Sequence, residues 1–263
     1  MRNVFRQTAV LACLVAVCSF ARAQEQPGAS NPWAHVTRVT VHPGQVAEFE
    51  DYVKKIQAGR TKLGLPHQSI AYQTVLGGSP FIYHFVTPFM GWEEIDALPS
   101  VPAIVTKAYG EVEGAKISKA GRSAVAEVII EVYRLRLDLS TNAKPGAPPS
   151  PFVSLTITEH HGGLLGSYLR LLGKIKKAEE QDANAPPVFR YVIVNGEAPI
   201  TVAARSSATL AERAKWPNQT QILRNVYGEG EQQEMNDLIA KSIAKRTSPV
   251  LAYRPDLSKV SKP

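Results

Sequence analysis

The chain has 263 residues, 30 Lys and Arg against 23 Asp and Glu, and a formal charge of +7. Its hydrophobic share of 44% and charged share of 20% are those of an ordinary globular protein, which argues against a disordered or fibrous class. The excess of positive charge is too scattered for a nucleic-acid surface. Only Lys174-Ile175-Lys176-Lys177 clusters, it is followed at once by Glu179-Glu180, and no nucleic-acid-binding motif is present.

The first 23 residues read as a cleavable export signal. Arg2 and Arg6 form a basic start, Thr8 to Phe20 is apolar, and Ala21-Arg22-Ala23 is an A-x-A cleavage site before Gln24. Cleavage removes Arg2, Arg6 and Arg22 and no acid, so the charge falls to +4, and it takes away Cys13 and Cys18. The expected mature protein is therefore cysteine-free, which excludes disulfides, thiol catalysis and zinc–thiolate sites. It is expected in the periplasm or outside the cell, with no other apolar stretch long enough to span a membrane.

After a polar leader over residues 24–32, the periodicity predicts strand, helix, hairpin, helix and strand, twice. Val36 to Val41 is a β-branched strand, and Gly44 to Arg60 carries Val46, Phe49, Val53 and Ile56 at helical spacing. Ile70 to Leu76 and Phe81 to Thr87 read as strands around Gly77-Gly78-Ser79-Pro80. Trp92 to Leu98 reads as a short helix, another helix follows Tyr109-Gly110-Glu111, and Glu127 to Leu137 is a strand. A Pro-rich linker, 141–151, separates this half (33–140) from the next (152–258), and a tail of residues 259–263 closes the chain. In the second half Asn195-Gly196 is a preferred two-residue hairpin turn, Met235, Leu238, Ile239 and Ile243 share a helical stripe, and Pro249 to Tyr253 is the last strand.

The halves align without a gap at a spacing of 118 residues. Thr40-Val41-His42-Pro43-Gly44 lies over Thr158-Glu159-His160-His161-Gly162, Gly78 over Gly196, Tyr109-Gly110-Glu111 over Tyr227-Gly228-Glu229, and Asp138-Leu139-Ser140 over Asp256-Leu257-Ser258. A βαββαβ unit is ferredoxin-like and leaves one sheet face bare, which a second unit can cover. On this element order the chain resembles the dimeric α+β barrel superfamily, which includes antibiotic-biosynthesis monooxygenases, NIPSNAP proteins and the chlorite-dismutase group. The resemblance implies an α+β fold of two tandem ferredoxin-like repeats packed sheet to sheet as an intramolecular barrel. It names no single activity. Pairing through outer sheet edges into a homodimer is compatible with such a barrel.

Strand alternation then predicts the lumen. With Val39 over Ile157 and Thr37 over Leu155 taken as the helix-packing set, Arg38, Thr40 and His42 face inward together with Thr156, Thr158 and His160. With Ile82 and Val86 taken as packing under helices, Tyr83, Phe85 and Arg205 face inward as well. The expected lumen is Arg38, His42, Tyr83, Phe85, His160 and Arg205, which suits a small planar carboxylate or phenolate.

Two function classes follow. One is a barrel binding a small organic anion through Arg38, Tyr83, Phe85 and Arg205. The other is a cofactor-independent monooxygenase or isomerase with His42 or His160 as base and Arg38 or Arg205 holding the oxyanion. Each residue also has a structural alternative. His42 and His160 stand at strand-to-helix turns where they could cap backbone groups, Arg38 and Arg205 could pair with Glu131 or Glu159, and His84 reads as a core histidine. Tyr109 and Tyr227, recurring in both halves, read as structural. No cofactor is expected. Glu159-His160-His161 does not make a metal site, because strand neighbours point to opposite faces. A haem-binding barrel using His160 or His161 is a lesser alternative, implied by the resemblance alone.

Overall fold

The computed structural model describes residues 32–196 and 198–260. The expected signal peptide, all but the last residue of the leader and the final three residues of the tail lie outside that range. Among the described residues there are nine strands: β1 (Trp33–Val41), β2 (Ile70–Leu76), β3 (Ile82–Phe89), β4 (Val125–Leu135), β5 (Phe152–His160), β6 (Val188–Asn195), β7 (Ile200–Ser207), β8 (Ile243–Thr247) and β9 (Val250–Tyr253). The helices are α1 (Val46–Lys62), α2 (Trp92–Asp96), α3 (Val101–Tyr109), α4 (Glu111–Ala124), α5 (Leu165–Glu179) and α6 (Gln219–Ser242).

Within the first half the strand order is β4-β1-β3-β2, and within the second it is β8/β9-β5-β7-β6, each antiparallel and each ferredoxin-like. The strands β8 and β9 lie end to end along one edge of β5 and form a single strand interrupted at Ser248-Pro249. Proline cannot donate to the ladder, but its carbonyl still accepts from Leu155 at 3.0 Å. The end of β4 pairs with β6, and β9 pairs with β2. Each half thus lends its last strand to the other, and the sheet closes into an eight-stranded antiparallel barrel with helices outside.

The predicted α+β barrel is the observed fold. Three local expectations needed correction. Ile243 is the first residue of β8 and does not belong to the helical stripe. Helix α3, which has no predicted counterpart, is capped by Ser100, whose hydroxyl accepts from the Ala103 N–H at 3.4 Å, with Pro102 in its first turn. Thr141, assigned to the linker, is buried and exchanges backbone hydrogen bonds with Val188. The Tyr-Gly-Glu motif is structural in both halves. Gly110 and Gly228 take φ of 84° and 79°, which favour glycine, and the preceding tyrosines donate to the carbonyls of Lys55 and Lys174 at 2.8 and 2.9 Å.

Equivalent contacts show where the two halves superpose. Val41 N–H donates to Phe81 O, and His160 N–H to Pro199 O; the Ala71 N–H donates to Ser258 Oγ, and the Arg190 N–H to Ser140 Oγ. Val41 therefore corresponds to His160 and Ala71 to Arg190, a spacing of 119, whereas Phe81–Pro199 and Ser140–Ser258 keep 118. The change falls between the second and third strands, because β2 ends at Leu76 and β6 at Asn195 while β3 starts at Ile82 and β7 at Ile200. One hairpin is a residue shorter than the other. The expected gap-free alignment is correct after this hairpin and one residue out before it.

Outside the barrel, the first half packs apolar surface. Val39, Val41, Phe49, Val53, Ala71, Tyr83 and Leu257 form one buried cluster beneath α1. In the second half the corresponding layer carries Thr158, His160, Arg190 and Thr201, all buried. It is held by Glu179 of α5, which accepts from Arg190 and Thr141 at 2.6 Å each, from Gln219 at 3.3 Å and from Arg205 at 3.4 Å. Arg190 and Glu179 are 3% and 4% exposed. Breaking a buried pair strands a charge at a cost of about 3–5 kcal/mol. Glu179→Ala should lower unfolding stability by that amount in urea titrations, whereas removal of the exposed Glu231, paired with Lys174, should change it by less than about 1 kcal/mol.

Candidate functional site

The inner face is set by register. In β1, Val39 and Val41 pack under α1, so Val36, Arg38 and Thr40 point into the lumen. Arg38 lies opposite His84 on β3 and Ile129 on β4, and His84 lies opposite Tyr72 on β2. Further round the barrel, Tyr72 lies opposite Tyr253, and Tyr133 opposite Ile193. Arg38, Tyr72, Thr74, His84, Glu131 and Tyr133 thus form one polar group on the inner wall.

Its electrostatics are definite. His84 is 6% exposed, its Nε2 is 3.4 Å from the Thr74 hydroxyl, and burial followed by the charge of Arg38 pushes it down to about 4. It is a neutral imidazole at pH 7. Tyr133 donates to Glu131 Oε2 at 2.8 Å, and burial, then this carboxylate, hold its phenol protonated. Tyr72 and Tyr253 rings stand 5.7 Å apart, and burial raises Tyr72, with further upward pressure from Tyr253 and Tyr191. Among the described residues Arg38 has no acid within salt-bridge distance, so a guanidinium points into the lumen beside a neutral imidazole and protonated phenols, with the Glu131 carboxylate engaged by Tyr133. That arrangement can hold an anionic oxygen, orient a planar group, and accept a proton at His84.

Of the six residues expected in the lumen, only Arg38 lies on its inner face. Tyr83 and Phe85 are on the outer face: their ring centroids stand 5.0 and 6.2 Å from that of Phe49, and the Tyr83 hydroxyl donates to Glu50 at 2.7 Å. Arg205 also faces outward, 22% exposed, against Glu179 of α5. His160 lies beneath α5, 3% exposed, with Nε2 2.9 Å from Thr201 and its ring 4.3 Å from that of Tyr168. His42 follows the end of β1, exposed, at the turn into α1, and makes no side-chain cap. The physical reason is parity. Ile82 and Val86 share a face with His84 and Arg38, not with Val39, so the assignment for β3 and β7 is reversed. In β5 the one-residue shift in correspondence turns Leu155 and Ile157 inward and His160 outward.

The residues missed, His84 foremost, carried a usable signal. Once Tyr83 is placed under α1, its neighbour must face the lumen. The haem alternative rested on His160 or His161. His160 faces the helix layer and His161 is exposed beyond the strand, so neither addresses the lumen. Among the described residues no group of three or more His, Cys, Asp or Glu is placed to hold a metal ion. No helix among them is long and apolar enough to cross a membrane.

Since His84 has a lowered pKa in the fold, its neutral state is favoured there, and its contribution is complete above the ordinary value near 6.5. It is lost as pH falls towards 4, by about 3 kcal/mol for a shift of this size. His35 and His160 are lowered by burial as well and act in the same direction. Urea stability should therefore fall between pH 6.5 and 4, less steeply in His84→Gln, and the His84 imidazole resonance should titrate near 4.

No family model and no curated protein matches the chain. Solved structures do. An anthrone oxidase-like protein superposes with a TM-score of 0.55 at 9% identity, over 88% of this chain and 94% of that one. A chlorite dismutase variant from Candidatus Nitrospira defluvii gives 0.52 at 6% identity, over 86% and 92%. A candidate monooxygenase from Fusobacterium nucleatum gives 0.51 at 7% identity, over 86% and 93%. At these identities the likeness is one of fold: the chain is an α+β barrel of the kind built by monooxygenase-like and chlorite-dismutase-like proteins.

Proposed function

We propose that the barrel lumen binds a small organic anion, whose carboxylate or phenolate oxygen pairs with Arg38. The observation that carries this is the Arg38 guanidinium on the inner wall, without an acidic partner among the described residues, beside neutral His84 and the protonated phenols of Tyr72 and Tyr133. A charge inside a barrel is costly unless paired, and an anionic ligand supplies the pair. The barrel reads as two fused ferredoxin-like copies, acting after export and removal of residues 1–23.

A second reading is favoured by the neutral state of His84. Its imidazole would take the proton of a bound phenol or an activated C–H while Arg38 holds the resulting oxyanion, as in a cofactor-independent oxygenase or isomerase. The anthrone oxidase-like and monooxygenase-like neighbours support it at the level of fold.

Calorimetric titration with benzoate and 4-hydroxybenzoate tests the binding. Arg38→Met should weaken it at least tenfold, whereas Arg205→Met, on the outer face, should leave it unchanged. His84→Gln should keep binding within a few-fold, and would abolish turnover under the second reading. Equal affinity for wild type and Arg38→Met would exclude a lumen site built on that residue.

A further inference from the structure

The two opposing walls of the lumen differ in chemistry, and the superposition of the halves shows the difference position by position. Arg38 corresponds to Ile157, Thr74 to Ile193, His84 to Val202 and Tyr133 to Leu251, because the pairs Arg38–His84 and Ile157–Val202, and Thr74–Leu251 and Ile193–Tyr133, occupy matching registers. Four polar groups of the first half's inner wall thus have aliphatic counterparts in the second. Between them lies a belt of Tyr72, Tyr191 and Tyr253, of which Tyr72 and Tyr191 are equivalents. The aliphatic wall is also incompletely filled. Leu155, Ile157 and Val202 point into a closed barrel, yet each keeps partial exposure, unlike the buried Val39 and Val41 on the outer face.

Resting on the anion-binding reading above, we infer that the lumen takes an amphiphile: a carboxylate or phenolate head at Arg38 and His84, and an apolar body, ring or chain, against Ile157, Val202 and Leu251. A head alone would leave the aliphatic wall wet, and an apolar molecule alone would leave Arg38 unpaired. The tyrosine belt suits the join, with ring faces for the body and hydroxyls for the head. Orientation follows from charge: Arg38 has Ile157 as its counterpart in the second half, where the inward-facing Lys245 stands opposite Glu159.

The test is a titration of wild type, Arg38→Met and Ile157→Thr with benzoate, 2-naphthoate and decanoate. The threonine keeps the β-branched shape, and an unchanged thermal midpoint checks its fold. Wild type should bind 2-naphthoate, decanoate or both at least roughly tenfold more tightly than benzoate, the return for burying several further carbons. Preference between the two identifies the body as ring or chain. Ile157→Thr should remove most of that gain and leave benzoate affinity unaltered, while Arg38→Met should weaken all three. Equal affinity for the three acids, with no effect of Ile157→Thr, would overturn the amphiphile and leave the anion site standing. Affinity indifferent to Arg38→Met, or no binding of any acid, would overturn both.

Discussion

Closure of the barrel is the constraint on which the rest depends. Neither half can finish its own sheet: β2 and β6 would each present a bare edge, with unpaired N–H and C=O groups open to aggregation. The last strand of the opposite half covers each edge, and the segment beyond that strand extends the seam. Ser140 and Ser258, each bonded to the carbonyl four residues before it, accept from the Arg190 and Ala71 amides of the other half, while Leu139 and Leu257 enter the core. Two reciprocal seams fix the relative position of eight strands, and with it which side chain of every pair looks inward.

The halves then spend their layers differently. In the first half, the outer layer beneath α1 is apolar and the inner wall is charged. In the second, the inner wall is aliphatic at Leu155, Ile157, Val202 and Leu251, and the outer layer beneath α5 holds His160, Arg190, Thr158 and Thr201. Burying such groups is tolerable only where each finds a partner: His160 and Thr201 pair with one another, and the Glu179 carboxylate accepts from Arg190 together with Thr141, Arg205 and Gln219. Arg205 belongs to that network and is committed to the fold. Arg38, on the opposite side of the sheet, has no comparable partner among the described residues, and the lumen's electrostatics follow from that contrast.

A shared architecture with monooxygenase-like and chlorite-dismutase-like proteins, at identities of 10% or less, carries no chemistry by itself. What separates one barrel of this kind from another is the composition of the inner wall. Here it is a guanidinium, a neutral imidazole and several phenols facing aliphatic side chains.

The sequence by itself determined the elements, their duplication in order and the architecture, because periodicity of 2 and 3.6 and the Asn195-Gly196 and Tyr-Gly-Glu punctuation are local properties. It also picked out Arg38 as an inward-facing residue. Only the tertiary structure decided the rest of the lumen. Strand faces alternate with a period of two, so a single residue inverts an assignment. The residue that mattered sits in a hairpin, where the matched Gly78 and Gly196 rewarded a gap-free alignment and no side chain reports the loop's length. His84 was placed under a helix and Tyr83 in the lumen for a separate reason. Alternation shows that neighbours part company but not which of them goes inward, and that is settled by what α1 packs against, a contact made across more than thirty residues of chain.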